Sequence, residues 1–256
     1  MRVMKKSDSF VGGPCPCRLD TSLRWHDESL GSNIPPYGTE AFDVTIGDLP
    51  LTLLRVKDLE RWVDREALLR DDTEEPPYWA HVWTGALTLA RYLEAHVDCR
   101  EMTVLDLGCG LGLPGIVAAR KGGRVVFADK EPAALAFAAV NAQHNDCRDW
   151  ETRLLDFTRD VLDQQFMLIL GAEILYDRAT FPVLVAFLER HLAPHGRALL
   201  ADAKRTNTTE FYALMEKAGL CWQQEEIQER EGKLPLPVSI VIVCKQEEPR
   251  QGKRAC

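Results

Sequence analysis

From residue 103 onward, short apolar runs alternate with longer stretches whose apolar positions recur every three or four residues. The short runs predict strands at Thr103–Leu107, Arg124–Ala128, Glu151–Leu155, Phe166–Gly171 and Arg197–Asp202. The periodic stretches predict helices over 113–121, 132–145, 178–193 and 208–218. In the third of these, Phe181, Leu184, Val185, Leu188 and Leu192 form one stripe. Asn207, three residues before Glu210, predicts a capping box at the start of the last. Strand and helix in strict alternation build a parallel sheet covered on both faces, a doubly wound α/β architecture. The end departs from this rhythm. Leu220–Gln228 and Leu236–Cys244 read as strands joined by 229–235 with no helix between them, so the last strand should pair antiparallel.

Upstream, apolar positions 83, 86, 87, 90, 93 and 97 follow helical spacing and predict an amphipathic helix entering the main domain at Trp83. Ala41–Ile46 and Leu51–Val56 flank Gly47-Asp48-Leu49-Pro50, which predicts a β-hairpin. A short helical pattern follows over 57–75. Residues 1–38 are rich in Gly, Pro, Ser and charge without periodicity and read as a flexible arm. The basic stretch 246–256 reads as a frayed tail. The expected division is therefore an arm (1–38), a hairpin and helix extension (39–82), a main domain (83–245) and a tail (246–256).

Composition narrows the function classes. At 46% apolar and 27% charged, the chain is an ordinary globular one. No apolar run approaches the roughly 18 residues that span a bilayer, so no membrane span is expected. The N-terminus lacks the apolar core of a secretory signal, which leads to the expectation of a cytoplasmic protein. A net charge of −8, from 39 acidic and 31 basic side chains, disfavours nucleic acid as the main partner. The eight cysteines are scattered, and Cys15-Pro-Cys17 supplies too few ligands for zinc, so reduced thiols are expected. His191 and His195 have a metal-ligand spacing, but Pro194 between them should end the helix, and the pair reads as structural.

The densest chemistry lies in Val104-Leu-Asp106-Leu-Gly108-Cys-Gly110-Leu-Gly112-Leu-Pro-Gly115, between a predicted strand and a predicted helix. Glycines there let the backbone turn tightly and let a flat or anionic ligand approach the main chain. Gly110-x-Gly112-x-x-Gly115 alone would also suit a dinucleotide. Asp129, at the end of the next strand, is the acid that either ligand class needs for ribose hydroxyls.

Taken together with these residues, further segments resemble the class I seven-strand methyltransferases, and within them the family 16 protein lysine methyltransferases. Asp156-Phe157 resembles the family's adenine-side segment, and Glu173-Ile-Leu-Tyr176 its acid-x-x-Tyr signature. Pro77-Tyr78-Trp79-Ala80-His81-Val82-Trp83 resembles the Trp-containing segment upstream of the first motif. Ala201–Arg205 resembles the end of the fifth strand. The resemblance covers residues 40–244. It implies a Rossmann-like, seven-strand, mostly parallel sheet with an antiparallel C-terminal strand, and S-adenosyl-L-methionine as cofactor. The cofactor residues it implies are Trp83, Asp106, Gly108, Gly110, Gly112, Asp129, Lys130, Asp156, Phe157 and Glu173, with Glu173 and Tyr176 as catalytic residues and no metal. It departs from the family where Glu173 stands in place of a common Asp. The Asn-Pro-Pro-Tyr motif of enzymes that methylate planar nitrogens is absent.

A lysine ε-amine, with a reference pKa of about 10.4, must lose a proton before it attacks a methyl group. Tyr176, Glu173, Trp83 and Trp79 are the residues expected to provide an aromatic, acid-bearing setting. Each has a plainer role open to it: Asp156 as a cap, the tryptophans as core, Glu173 as the ion-pair partner of Arg205. The partner expected is a protein substrate, with neither membrane nor nucleic acid, and the chain is expected to be monomeric. Alternative functions are methylation of RNA or a small molecule, a nicotinamide-dependent dehydrogenase using the same glycine turn, and a cofactor-binding protein without activity. The dehydrogenase requires a parallel sixth strand.

Overall fold

The structure is a computed structural model that describes residues 38–59, 77–204 and 206–245. The expected arm, most of the 57–75 helical pattern, Cys15, Cys17, Arg205 and the basic tail lie outside the described residues. Strands β1 (Thr39–Ile46) and β2 (Leu49–Val56) form an antiparallel hairpin. Helix α1 (Thr84–His96) leads into β3 (Thr103–Leu107), α2 (Leu113–Arg120), β4 (Arg124–Asp129), α3 (Pro132–His144), β5 (Trp150–Leu154) and β6 (Phe166–Ala172). Then come α4 (Phe181–His191), β7 (Leu192–Asp202), α5 (Thr209–Lys217), β8 (Leu220–Glu231) and β9 (Leu234–Lys245).

Among the described residues, seven strands form the main sheet in the order β5-β4-β3-β6-β7-β9-β8. The pairs from β5 to β7 are parallel, and β9 runs antiparallel to both β7 and β8. Parallel strands buried on both faces need apolar residues at successive positions, and the sequence supplies them. Val104, Val125, Leu168, Leu199 and Ile240 face one core with Leu89, Leu93, Ile116 and Ala138 of helices α1 to α3. Leu105, Val126, Ile169, Leu200 and Val241 face the other with Leu184, Leu188, Phe211 and Met215 of α4 and α5. Asp106 and Asp129 alternate in phase with the first set, so both acids open towards α2.

The hairpin shares the first core through Ile46, Leu51 and Leu53. Its outer edge is held by two asparagine side chains. Asn141 accepts from Leu54 N–H at 2.6 Å and donates to Leu54 C=O at 3.1 Å; Asn145 accepts from Thr52 N–H at 3.0 Å and donates to Thr52 C=O at 2.8 Å. Four residues of helix rise about 6 Å and two of strand about 6.8 Å. Asn141 in α3 and Asn145 at its C-cap therefore match an i,i+2 pair on β2 and stand in for a neighbouring strand.

Several expected boundaries shift for identifiable reasons. Both hairpins turn in two residues, Gly47-Asp48 and Gly232-Lys233, with the glycine at positive φ, so their strands run longer than expected. Pro50 is thus in β2. Pro235, expected in the connection, lies with Pro237 in β9 beyond the last β7 pairing, Asp202 with Ser239, where β9 is an edge and proline is tolerated. The capping box does not form. Thr208 is the N-cap of α5, Asn207 accepts from Thr209 N–H at 3.0 Å, and Glu210 pairs with Arg178. His191 is buried in α4, accepting from Leu162 N–H at 3.1 Å through Nε2, and the helix ends there, before Pro194.

The fully buried Phe127 ring lies under the glycine turn: a Cβ built at Gly112 would stand 3.2 Å from its Cε1. Phe127→Ala should lose about 3–5 kcal/mol of stability, read as a lowered urea midpoint. A loss below 1 kcal/mol would mean that the turn does not rest on this ring.

Candidate active site

The turn after β3 is built on three glycines at positive φ: Gly108 (65°), Gly110 (51°) and Gly112 (84°). This backbone region disfavours side chains. Space is a second reason at Gly110, where a Cβ would lie 2.9 Å from the Trp79 carbonyl oxygen. Asp106, 1% exposed, accepts from Gly115 N–H at 2.9 Å in the first turn of α2. Burial pushes its carboxyl up to about 8, against the opposing pull of that bond, and nearby Asp129 adds to the rise. Asp129, 7% exposed, accepts from Gly110 N–H at 2.9 Å and Glu131 N–H at 3.0 Å, one on each oxygen. Burial raises its pKa too, and the two backbone bonds pull it back. Lys130, next in the chain, is exposed.

Glu173 follows β6 with a φ of 56°, uncommon for a residue with a side chain. Its N–H donates to Ala201 C=O at 2.8 Å. Its carboxylate accepts from Gly85 N–H at 3.1 Å and from Ala203 N–H at 3.4 Å. Gly85 is the second residue of α1, whose N-cap is Trp83, a side chain with no oxygen to offer. Glu173 thus caps this helix from another strand. A Cβ at Gly85 would stand 2.5 Å from Glu173 Oε1, so the glycine makes room for the acid. The next residue, Ile174, packs against Gly108, where a Cβ would be 3.0 Å from its Cγ2.

The segment before α1 closes the arrangement. Trp83 donates its indole N–H to Tyr78 C=O at 2.8 Å and packs against His81, with ring centroids 4.7 Å apart. Tyr78 lies 6.2 Å from Trp83 and 6.3 Å from Tyr176, centroid to centroid. Tyr78 and Tyr176 are 45% and 52% exposed and form an aromatic rim. Trp79 turns the other way, onto Phe137 of α3 at 5.4 Å.

Three segments, 77–85, 108–115 and 173–176, therefore meet at the carboxyl ends of β3 and β6, with Asp129 beside them. Asp156 and Phe157 stand apart from this contact network. Asp156 accepts from Thr158 N–H at 3.0 Å and its hydroxyl at 2.6 Å and pairs with Arg159; the hydroxyl bond in particular holds its carboxyl below the usual range. It caps its own turn. Phe157 packs edge-to-face on Phe187. The expected Glu173–Arg205 pair lies outside the described residues. Sequence reasoning missed Gly85, whose signal is a glycine in the first turn of an amphipathic helix, and Asn141, whose signal is a polar residue on the buried face of an alanine-rich one.

A glycine turn after the central strand, an acid at the end of the next and an antiparallel β9 between β7 and β8 define the class I methyltransferase fold. The dehydrogenase alternative fails on the strand beside β7, which is antiparallel. Among solved structures, the T. thermophilus 16S rRNA N2 G1207 methyltransferase superposes with a TM-score of 0.60 at 17% identity, over 83% of this chain and 52% of that one. A ribosomal protein L11 methylase from Lactobacillus delbrueckii superposes at 0.54 with 19% identity, over 80% and 100%. The profile of the lysine methyltransferase family matches residues 64–218, and the chain belongs to that family. It is 37% identical to mouse EEF1A lysine methyltransferase 3 over 131 residues, 49% of this chain and 56% of that protein. Against the protein N-lysine methyltransferase METTL21A of Danio rerio it is 38% identical over 49% and 60%, and against that of Xenopus tropicalis 31% identical over 61% and 79%. The matched region thus spans little more than half of the mouse and zebrafish proteins. Among the described residues, no helix is long and apolar enough to cross a membrane.

A carboxyl that ionises near 3.8 in the unfolded chain and near 8 in the folded one holds its proton more tightly when folded. The ligand-free protein should then lose stability at this site as the pH rises from about 4 to about 8. Asp106→Asn keeps an acceptor for Gly115 N–H and cannot ionise. Its melting temperature should exceed the parent's by more at pH 8 than at pH 5; a pH-independent difference would refute the buried, protonated carboxyl.

Proposed function

We propose that this chain transfers a methyl group from S-adenosylmethionine to a lysine side chain of a protein substrate. The observation that carries the reading is the contact of the Glu173–Tyr176 segment with the glycine turn, which gives one crevice both a ligand cradle and an acid with an aromatic rim. The family and the relatives' names support the lysine acceptor, and the net charge of −8 suits a cationic one.

The donor set fits the cofactor. Each carboxylate oxygen of Asp129 accepts one backbone bond and keeps a further acceptor site, as a ribose diol requires. Gly108, Gly110 and Gly112 would take the ligand against the main chain, with Trp83 and Lys130 at the flanks. Asp156 and Phe157 would border the adenine end. S-adenosylmethionine, when bound, supplies a methyl activated on a sulfonium. The rest is positioning and desolvation. Tyr78 and Tyr176 would shield the acceptor chain from water, which favours its neutral amine. Glu173, fixed by Gly85 and Ala203, would orient that amine and receive its proton.

Calorimetry should register binding of S-adenosylhomocysteine and none of NAD, and Asp129→Ala should weaken that binding about ten- to a hundredfold. Saturable NAD binding with no response to S-adenosylhomocysteine would overturn the cofactor assignment. With S-adenosylmethionine labelled in its methyl group and a proteome from cells lacking this protein, label should be recovered as methyllysine. Recovery in RNA or in small molecules would overturn the acceptor. Glu173→Gln and Tyr176→Phe should lower turnover tenfold or more and leave S-adenosylhomocysteine affinity within about twofold. Full turnover in both variants would remove them from the chemistry.

A further inference from the structure

We infer that Asn141 is a positioning residue for the glycine turn, linking the β1–β2 hairpin to the ligand cradle through one side chain. The inference rests on the reading of that turn as the S-adenosylmethionine site.

Asn141 is fully buried on α3. A buried amide must find partners for its polar atoms, and its partners come from two different parts of the fold. Its oxygen accepts from Leu54 N–H in the hairpin at 2.6 Å. Its nitrogen donates to Leu54 C=O at 3.1 Å and to Leu111 C=O at 3.0 Å. Both amide protons are thereby used, and exchanging O for N would set an oxygen against two carbonyls, so the network fixes the orientation.

Leu111 lies between Gly110 and Gly112, both at positive φ. The peptide unit between Leu111 and Gly112 turns about the φ of a glycine, which offers little resistance to rotation, and here that unit is pinned at both ends. Its carbonyl takes the Asn141 bond, and its N–H, that of Gly112, donates to Cys109 C=O at 2.8 Å. Asp129 holds the peptide between Cys109 and Gly110 through Gly110 N–H. The turn is thus held by Asp129, which would also face the ligand, and by Asn141, whose partners are the turn and the hairpin. Asn145 is the internal control. It makes the same pair of bonds to Thr52, while its remaining bond, to Asn141 C=O at 2.8 Å, stays within the helix region. Both asparagines dock the hairpin, and Asn141 also reaches the turn.

The experiment compares Asn141→Asp, which keeps the acceptor for Leu54 N–H and cannot donate to the two carbonyls, with Asn145→Ala in the full chain. Amide hydrogen exchange is followed in the ligand-free protein, and S-adenosylhomocysteine affinity is measured at a temperature where every variant is folded. Asn145→Ala should speed exchange in residues 50–56 alone and leave affinity within about twofold. Asn141→Asp should speed exchange in residues 108–116 as well and weaken affinity about tenfold. If Asn141→Asp fails to fold, Asn141→Ser, which retains one donor, is measured in its place. Unchanged exchange and affinity in the Asn141 variant would overturn the inference. So would an Asn145 variant that loosens the turn equally, since hairpin docking alone would then account for it. Should the parent protein fail to bind S-adenosylhomocysteine, the proposed cofactor is wrong, and exchange in residues 108–116 still decides whether Asn141 holds the turn.

Discussion

Helix α1 follows Trp83, whose side chain cannot cap it, and the carboxylate that does so comes from Glu173, 88 residues beyond the Gly85 N–H that it accepts. Much of the candidate site follows from this placement. A negative charge at a helix N-terminus is favourable, by up to about 2 kcal/mol where partly buried. The same carboxylate also accepts from Ala203 beyond β7, so one side chain fastens the start of α1, the end of β6 and the end of β7. The φ of 56° at Glu173 is a strain of the kind kept only where its surroundings over-determine it. Glycine at position 85 is the other half of the arrangement, because any side chain there would occupy the carboxylate's space.

With α1 pinned in this way, the segment before it must run past the glycine turn. Trp79 passes its carbonyl against Gly110 and its ring onto Phe137, while Trp83 and Tyr78 hold each other through an indole-to-carbonyl bond. Asp106 sits inside this frame. It is nearly inaccessible to solvent, bonds the first turn of α2 and is held mostly protonated at neutral pH by burial. Ionisation of Asp106 would place a negative charge beside Asp129, so burial and this neighbour both favour its protonated form.

The parts of the molecule legible in the sequence are those where local pattern and tertiary environment agree. Strands buried on both faces announce themselves as apolar runs, and the glycine turn as a cluster that few other structures require. What escaped is of another kind. The tip of the last hairpin differs because Pro235 looks like a breaker, and its tolerance depends on where β7 stops. Asn207 and Glu210 have capping-box spacing, yet Arg178, 32 residues away, takes the glutamate. Asn141 and Asn145 could be noticed as polar residues in an alanine-rich helix, but their partners in β2 are some ninety positions away. Periodicity reports which face is buried, and it carries no record of which distant backbone group a buried amide meets.

Under the proposed reading Glu173 would cap a helix and also handle a proton, two demands that bear on the same pair of oxygens. A carboxylate has about four acceptor sites, and the backbone bonds from Gly85 and Ala203 use two of them. Held at both oxygens, the carboxylate would be placed to orient the acceptor amine. Proton removal from the acceptor then depends chiefly on what surrounds the amine, and here the exposed rings of Tyr78 and Tyr176 are the elements that a substrate chain would cover on docking. On the proposed reading, a docked protein substrate would complete the dry environment that its own lysine needs. Selectivity for the acceptor would then come from the fit of the substrate surface over the rim, and the buried acids beneath it need not distinguish one lysine from another.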